Sequence, residues 1–370
     1  MMAMKELKDA VNFGCTKEFW RMAVLWTISL LLSYLHLFTQ TLFSRKPISY
    51  PRHSPLPTPT TSARPVCIIT GATSGLGAAA AYSLSIEGFF VVLVGRSSYL
   101  LSKVKAEIRR RNKYAHIKTF QVDLSSFQSI LKFKETFELW LLHSDMHSSV
   151  QLLINNAGML ATSARLTAEG FDEMMATNYI GAFSLTKLLL PLLENSPVAS
   201  RIVNVTSFTH RTVYDRRLDR QTVSGITFSR FRRYPCAQIY EYSKLCLLLF
   251  SYELHRQLSA KGSQQVSVIA VDPGAVKTNI MREIPTSISY VAFFVLKLLG
   301  LLQSPEDGVC SILDAALASP ETSGAYFFGG KGRTIDSSAL SYDTNLAKEL
   351  WATSCDLFQE SELASKDTPT

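Results

Sequence analysis

Five consecutive residues, Tyr240-Glu241-Tyr242-Ser243-Lys244, carry the clearest chemical possibility in the sequence. They lie near the start of a run, 237–260, whose pattern predicts a helix. Residues four apart stack on one helix face, one turn above each other. Tyr240 and Lys244 therefore point the same way, and Tyr242 points elsewhere. A free phenol has a pKa of about 10 and carries protons poorly near neutrality. A neighbouring ammonium favours the phenolate and brings the phenol toward a working range. The pair alone decides little, because a core tyrosine one turn from a lysine has the same spacing.

The elements that must position such a pair are legible on either side of it. Val66-Cys67-Ile68-Ile69-Thr70 reads as a short buried strand, followed at once by Gly71-Ala72-Thr73-Ser74-Gly75-Leu76-Gly77 and an alanine-rich helix to about residue 87. Glycines between strand and helix let the backbone turn tightly and approach a pyrophosphate, whose charge the helix N-terminus stabilises. A plain tight turn is the competing reading. The next strand, 89–94, ends in Gly95-Arg96-Ser97-Ser98. An acidic residue there would bond the 2′-hydroxyl of NAD; Arg96 instead suits the 2′-phosphate of NADP, with a solvated arginine at a strand end as the competing reading. A third strand, 117–122, ends at Asp123-Leu124, on the same sheet edge. A fourth, 150–154, runs into Asn155-Asn156-Ala157-Gly158, where the small pair leaves room for a ligand.

A helix is expected over 168–195 with Asn178 inside it, although asparagine is a poor helix former. A fifth strand, 201–205, ends at Thr206-Ser207. The Asn204-Val205-Thr206 sequon lies in that strand, where glycosylation is not expected. A sixth strand, 266–271, leads into Asp272-Pro273-Gly274-Ala275-Val276-Lys277-Thr278, and a last one is 326–328. Strands alternating with helices predict an α/β fold on a largely parallel sheet.

Composition adds the surroundings. The chain has 370 residues, of which 18% are charged, and a net charge of +8. The low charge content suggests lipid contact, and the positive balance permits an anionic partner. The six cysteines are scattered without a CxxC pair, which argues for reduced thiols and no metal site. Residues 22–38 carry no formal charge, and the apolar character continues to 43. That is the lower limit for crossing a bilayer of about 30 Å. A membrane span is favoured, with an interfacial helix as the alternative. A removed signal peptide is disfavoured, since no small-residue cleavage site follows. Residues 47–65 hold six prolines among Ser and Thr and read as an extended linker clear of the core. The stretch 208–236 interleaves arginines with aromatics, which suits anionic lipid, or no specific role at all, better than nucleic acid here. The apolar 288–302 segment reads either as a buried helix or as a lid over a hydrophobic substrate.

Together these stations resemble the short-chain dehydrogenase/reductase family from residue 66 to about residue 330. The phosphate-loop pattern stands as Thr70, Gly71, Gly75 and Gly77, the NNAG pattern as 155–158, the helix asparagine as Asn178, the serine as Ser207, YxxxK as Tyr240 and Lys244, and PGxVxT as Pro273, Gly274, Val276 and Thr278. Six motifs in order are specific. The chain is most similar to the membrane-anchored, retinol-dehydrogenase-like members. The resemblance implies a single doubly wound Rossmann domain with a mostly parallel seven-stranded sheet, preceded by an N-terminal membrane helix. The expected segments are 1–21, the helix 22–43, the linker 44–64, the catalytic domain 65–330, and a C-terminal helix and tail, 331–370.

The resemblance also assigns roles. Asn178, Ser207, Tyr240 and Lys244 are the expected catalytic set. Gly71, Thr73, Ser74, Gly75, Leu76, Gly77, Arg96, Asp123, Leu124, Asn156, Ala157, Gly158, Tyr240, Lys244, Pro273, Gly274, Val276 and Thr278 are expected to hold NADP. The implied activity interconverts a lipophilic alcohol and its aldehyde or ketone, of retinoid, steroid or polyisoprenoid kind. The expected partners are that substrate and a membrane, the endoplasmic reticulum first, with no nucleic acid; a homodimer is within the expectation. A nucleotide-binding sensor or scaffold without turnover is the rival. The intact Tyr240, Lys244 and Ser207 set speaks against it.

Overall fold

The computed structural model describes residues 2–43, 49–53, 64–144, 148–262 and 265–366. Seven strands form one sheet: β1 (Val66–Thr70), β2 (Phe90–Gly95), β3 (His116–Gln121), β4 (Leu152–Asn155), β5 (Ser200–Val205), β6 (Val266–Asp272) and β7 (Tyr326–Phe328). Their spatial order is β3-β2-β1-β4-β5-β6-β7, and every neighbouring pair is parallel. All seven predicted strands are present. The order reverses between β1 and β4, and ligands bind open α/β sheets at such a switch point, beyond the carboxyl ends of the strands.

All strands but the edge strand β3 are buried on both faces, as a parallel sheet covered by helices requires. Side chains alternate: Ile68, Val92 and Val94 enter one core, while Cys67, Ile69, Val91 and Leu93 enter the other. Helices Phe127–Leu142 and Cys236–Ala260, with the helical run 173–194, cover the first face. Helices Gly75–Ile86, Ser98–Arg111 and Pro305–Ala316 cover the second.

The helix expected from 168 begins only at Glu173. Asp172 ends an isolated bridge to Leu166 and caps the helix by accepting from the backbone of Met174 and Met175. Asn178 sits in a π-helical segment, Ala176–Ile180. Such wide turns in a helix recur at functional sites. Asn204 is fully buried, in keeping with the reading of its sequon.

The amino-terminal helix differs most from expectation. It runs from Lys17 to Phe43, is long and apolar enough to cross a membrane, and contains a π-helical segment, Arg21–Trp26. It does not stand apart from the catalytic domain. Met22, Ser29, Leu30, Ser33 and Leu37 are buried, with Leu30 and Leu37 joining a cluster with Phe208, Leu248 and Phe328. The opposite face exposes Leu31, Leu32, Leu35 and Phe38. The described part of the proline-rich stretch, 49–53, is likewise docked: Tyr50 pairs with Gly332, and Arg52 forms an ion pair with Asp314. Residues 47–48 and 54–63 of that linker lie outside the described residues.

Candidate active site

The carboxyl ends of the central strands open into one cleft of about 490 Å³. Gly71, Thr73, Ser74, Gly75, Leu76, Arg96, Leu124, Asn156, Ala157, Gly158, Ser207, Tyr240, Lys244, Pro273, Gly274, Val276 and Thr278 all line it. Asn178, Gly77 and Asp123 stand behind the lining rather than in it. Asn178 is fully buried; its Oδ1 accepts from Met159 N at 2.8 Å, and its Nδ2 donates to Met159 O and to Ser243 Oγ. Asp123 Oδ1 accepts from the backbone and hydroxyl of Ser125, which shapes the loop after β3.

The glycine turn is built for close approach. A side chain at Gly77 would place its Cβ 2.4 Å from Gly71 O, and one at Gly71, whose φ is +65°, would lie 2.8 Å from Ala157 Cα. Thr70 Oγ1 accepts from the backbone N–H groups of Asn156 and Ala157, and Asn156 Nδ2 donates to Thr70 O. The loops after β1 and β4 are thus laced into one floor. The helix starting at Gly75 has no acidic residue in its first turn, and its cap Ser74 makes no side-chain capping bond. Its orphan N–H groups therefore face the cleft with positive partial charge, which fits a pyrophosphate. Arg96 is half-exposed and meets Glu173 at 3.3 Å. An exposed pair of that kind is weak, so Arg96 keeps the freedom to turn to an anion.

At the other end of the cleft the helix Cys236–Ala260 presents Tyr240 and Lys244 on one face, as their spacing predicts. Lys244 Nζ donates to Val205 O at 3.0 Å and sits over the Tyr240 ring, 5.7 Å from its centroid. Burial lowers the Lys244 ammonium to about 8, opposed by the charge of Asp272. Burial holds the Tyr240 phenol above its ordinary value, and Asp272 adds to this, while a hydrogen bond with Ser207 pulls it down. The expectation that Lys244 makes this phenol acidic is not what the side chains show. The ammonium lies over the ring face, and burial outweighs every other influence.

Two residues that the sequence reading passed over shape this end. Asp272 is fully buried at the tip of β6, and burial pushes its carboxyl up to about 6. It accepts from Gly274 N at 2.8 Å and Tyr326 OH at 3.0 Å. His210 is fully buried and held neutral, its pKa lowered to about 3 by burial. Its Nε2 accepts from Ser338 N, so its Nδ1 carries the proton and donates to Ser207 O at 2.6 Å. That bond fixes the backbone of Ser207. Apolar groups complete the cleft: Phe208, Ile280, Met281, Phe293 and Leu296, with Trp26 from the amino-terminal helix. Phe293 and Leu296 belong to the helix Thr286–Leu298, so the apolar segment lines the cleft on one face while Val291, Phe294 and Leu298 stay exposed on the other.

A phosphate-ready glycine turn, a buried phenol beside a serine hydroxyl and a lysine, and an apolar end to the cleft define a dinucleotide-dependent oxidoreductase of the doubly wound class. Comparison with known proteins makes the assignment specific. Residues 65–216 match the short chain dehydrogenase family. The chain is 32% identical over 300 residues to human polyprenol dehydrogenase, covering 79% of this chain and 84% of that protein. It is 33% identical to mouse retinol dehydrogenase 12, over 79% of this chain and 85% of that one. A solved structure of an uncharacterized protein from Mycobacterium paratuberculosis superposes with a TM-score of 0.59 at 29% identity, covering 80% of this chain and 94% of that one. The chain belongs to the short-chain dehydrogenase family, on the branch of the retinol-dehydrogenase-like members, and that family uses a nicotinamide dinucleotide.

Proposed function

We propose that the chain is an NADP-dependent oxidoreductase that interconverts a lipophilic alcohol and its aldehyde or ketone, with Tyr240 as acid and base. The observation that carries this is the convergence of Tyr240, Ser207 and Lys244 with the glycine turn and Arg96 in one cleft. The bound dinucleotide supplies the hydride for reduction and accepts it in oxidation. Gly71, Thr73, Ser74, Gly75, Leu76 and Gly77 hold its pyrophosphate, and Arg96 its 2′-phosphate. Asp123 and Leu124 shape the adenosine end; Asn156, Ala157 and Gly158 form the floor; Pro273, Gly274, Val276 and Thr278 border the nicotinamide end.

The residues of this chain handle the proton. In reduction Tyr240 donates to the developing alkoxide, and Ser207 donates a hydrogen bond to the same oxygen, where charge appears in the transition state. A phenol held above its ordinary pKa is fully protonated at neutral pH, which suits the reductive direction. Lys244, still mainly charged at neutrality, supports the phenolate as the proton leaves. Asn178 orders the backbone of Met159 and the hydroxyl of Ser243, and lies on the proton path behind Lys244.

The substrate class is supported by the apolar end of the cleft and by relatives named for polyprenol and retinol. Membrane attachment through Lys17–Phe43 is supported by its exposed apolar face. Its contacts with the domain from Glu18 to Leu37 favour the interfacial form of that attachment over a single pass. The endoplasmic reticulum is the proposed membrane, checked by co-fractionation. The deciding experiment incubates the purified chain with NADPH and a panel of isoprenoid, retinoid and steroid aldehydes and ketones, reading nicotinamide absorbance. Tyr240→Phe is expected to abolish consumption and keep NADPH binding; wild-type rates in that variant would remove the assignment. Binding without consumption by the wild type would return the sensor reading.

A further inference from the structure

The amino-terminal helix reaches the catalytic centre through four polar side chains, those of Glu18, Arg21, Trp26 and Ser29. Glu18 Oε2 accepts from Ala237 N at 2.8 Å and Gln238 N at 3.4 Å. It thereby caps the Tyr240 helix, whose own cap position, Pro235, offers no side-chain bond. Arg21 Nε donates to both carboxylate oxygens of Glu241 at 2.8 Å, and its Nη2 donates to Thr212 O. Trp26 Nε1 donates to Glu241 Oε1 at 2.6 Å. Ser29 Oγ donates to Phe208 O at 2.8 Å, one residue from Ser207.

Glu241 explains why these contacts are specific. It follows Tyr240 directly, so it faces about 100° away around the helix and meets the amino-terminal helix while Tyr240 faces the cleft. Its side chain has no exposure, and a buried carboxylate persists only when paired and hydrogen-bonded. Both partners, Arg21 and Trp26, come from the π-helical segment Arg21–Trp26, where the wide turn changes the facing of residues five apart. With its indole nitrogen held, Trp26 lays its ring against Tyr240, centroids 5.4 Å apart and planes tilted by 42°. The ring lines the cleft together with Phe208, Phe293 and Leu296.

We propose that the amino-terminal helix is a wall of the catalytic cleft, with Trp26 as a substrate-positioning residue seated against Tyr240 and fixed there by the buried Glu241 carboxylate. The wall takes an isoprenoid-like chain behind the reacting carbonyl, between the indole and the helix Thr286–Leu298. This rests on the proposed role of Tyr240 and adds to it a specificity device outside the dinucleotide-binding fold.

The test uses the full-length chain in detergent with NADPH and three aldehydes of rising length: citral, farnesal and geranylgeranial. Trp26→Ala is expected to raise KM by about tenfold or more for the two longer aldehydes, less for citral, with smaller changes in kcat. Trp26→Phe keeps a ring and recovers most of the loss. Glu241→Gln, which keeps shape and removes the charge, shifts KM in the same graded way. A merely structural role would depress all three substrates and the NADPH affinity together. Unchanged KM values in Trp26→Ala, or a loss independent of chain length, would overturn the inference. Equilibrium binding of geranylgeraniol with NADP reads the same wall without turnover: an unaltered affinity in Trp26→Ala also overturns it, and a Trp26→Ala chain that fails to fold leaves Trp26→Phe and Glu241→Gln to decide. Failure of the Tyr240 reading shows separately, as retained turnover in Tyr240→Phe.

Discussion

Asp272→Asn should make the protein more stable above neutrality and leave it unchanged in acid. The carboxyl is fully buried; Gly274 N and Tyr326 OH donate to it, and the Phe208 backbone adds a weaker contact. Burial dominates, these hydrogen bonds and the charge of Arg211 only partly offset it, and the folded-state value is pushed up to about 6. The sign follows from proton counting. Because the folded-state pKa lies above the unfolded one, the folded protein binds more protons between about pH 4 and about pH 6, and stability falls as pH rises through that window. Moving the value from 3.8 to about 6 corresponds to about 3 kcal/mol of stability present in acid and absent at neutrality. Asparagine has nearly the same shape and never ionises. Its oxygen can accept from Gly274 N and its amide can donate to the Tyr326 oxygen. The variant should therefore gain up to about 3 kcal/mol at about pH 8 and nothing at about pH 4. Chemical denaturation at both pH values, in one detergent, measures the difference. A variant no more stable than wild type at the higher pH, or a difference independent of pH, would refute the reasoning. The same charge also raises Tyr240, so the variant should oxidise alcohols at lower pH than wild type.

Three further outcomes follow from the cleft. Arg96→Asp should lower the ratio of NADPH to NADH use by on the order of a hundredfold, since a carboxylate repels the phosphate and accepts from a ribose hydroxyl; steady-state kinetics with both cofactors reads it, and an unchanged ratio removes Arg96 from phosphate recognition. Gly77→Ala places a Cβ 2.4 Å from Gly71 O, so NADPH binding, followed by nicotinamide fluorescence, should be lost while far-ultraviolet dichroism stays native. Asn178→Ala strips Met159 N and O of their buried partner, which should cost about 1–3 kcal/mol in denaturant melts and slow turnover.

What the sequence revealed and what it hid divide along a physical line. The seven strands, the switch point and the cleft-lining glycines were legible because each rests on local requirements: strand hydrophobicity, turns at positive φ, a helix start. Tyr240 and Lys244 were legible because their facing depends on helix geometry alone. Asp272 and His210 were not, since their importance comes from burial that only the assembled loops after β5 and β6 create. The ionisation of Tyr240 was misjudged for the same reason. Spacing places an ammonium nearby, but it says nothing of how deeply both groups sit or of a buried carboxylate beyond them.

The amino-terminal helix shows the limit most clearly. Apolar composition reports that a face avoids water and is silent on whether lipid or protein covers it. Ser29 and Ser33 lie four apart, on the face that also holds Leu30 and Leu37, and small residues there let the helix approach the Phe208 backbone. The charged pair Glu18 and Arg21, just ahead of the apolar run, reads as a membrane flank until Ala237 and Glu241 are seen opposite it. Replacing Arg21 while the helix stays docked would leave a carboxylate with no exposure short of its charged partner, and breaking a buried ion pair by removing one partner costs about 3–5 kcal/mol. That penalty falls on the residue next to Tyr240, so the docking of the amino-terminal helix and the order of the catalytic helix depend on the same contact.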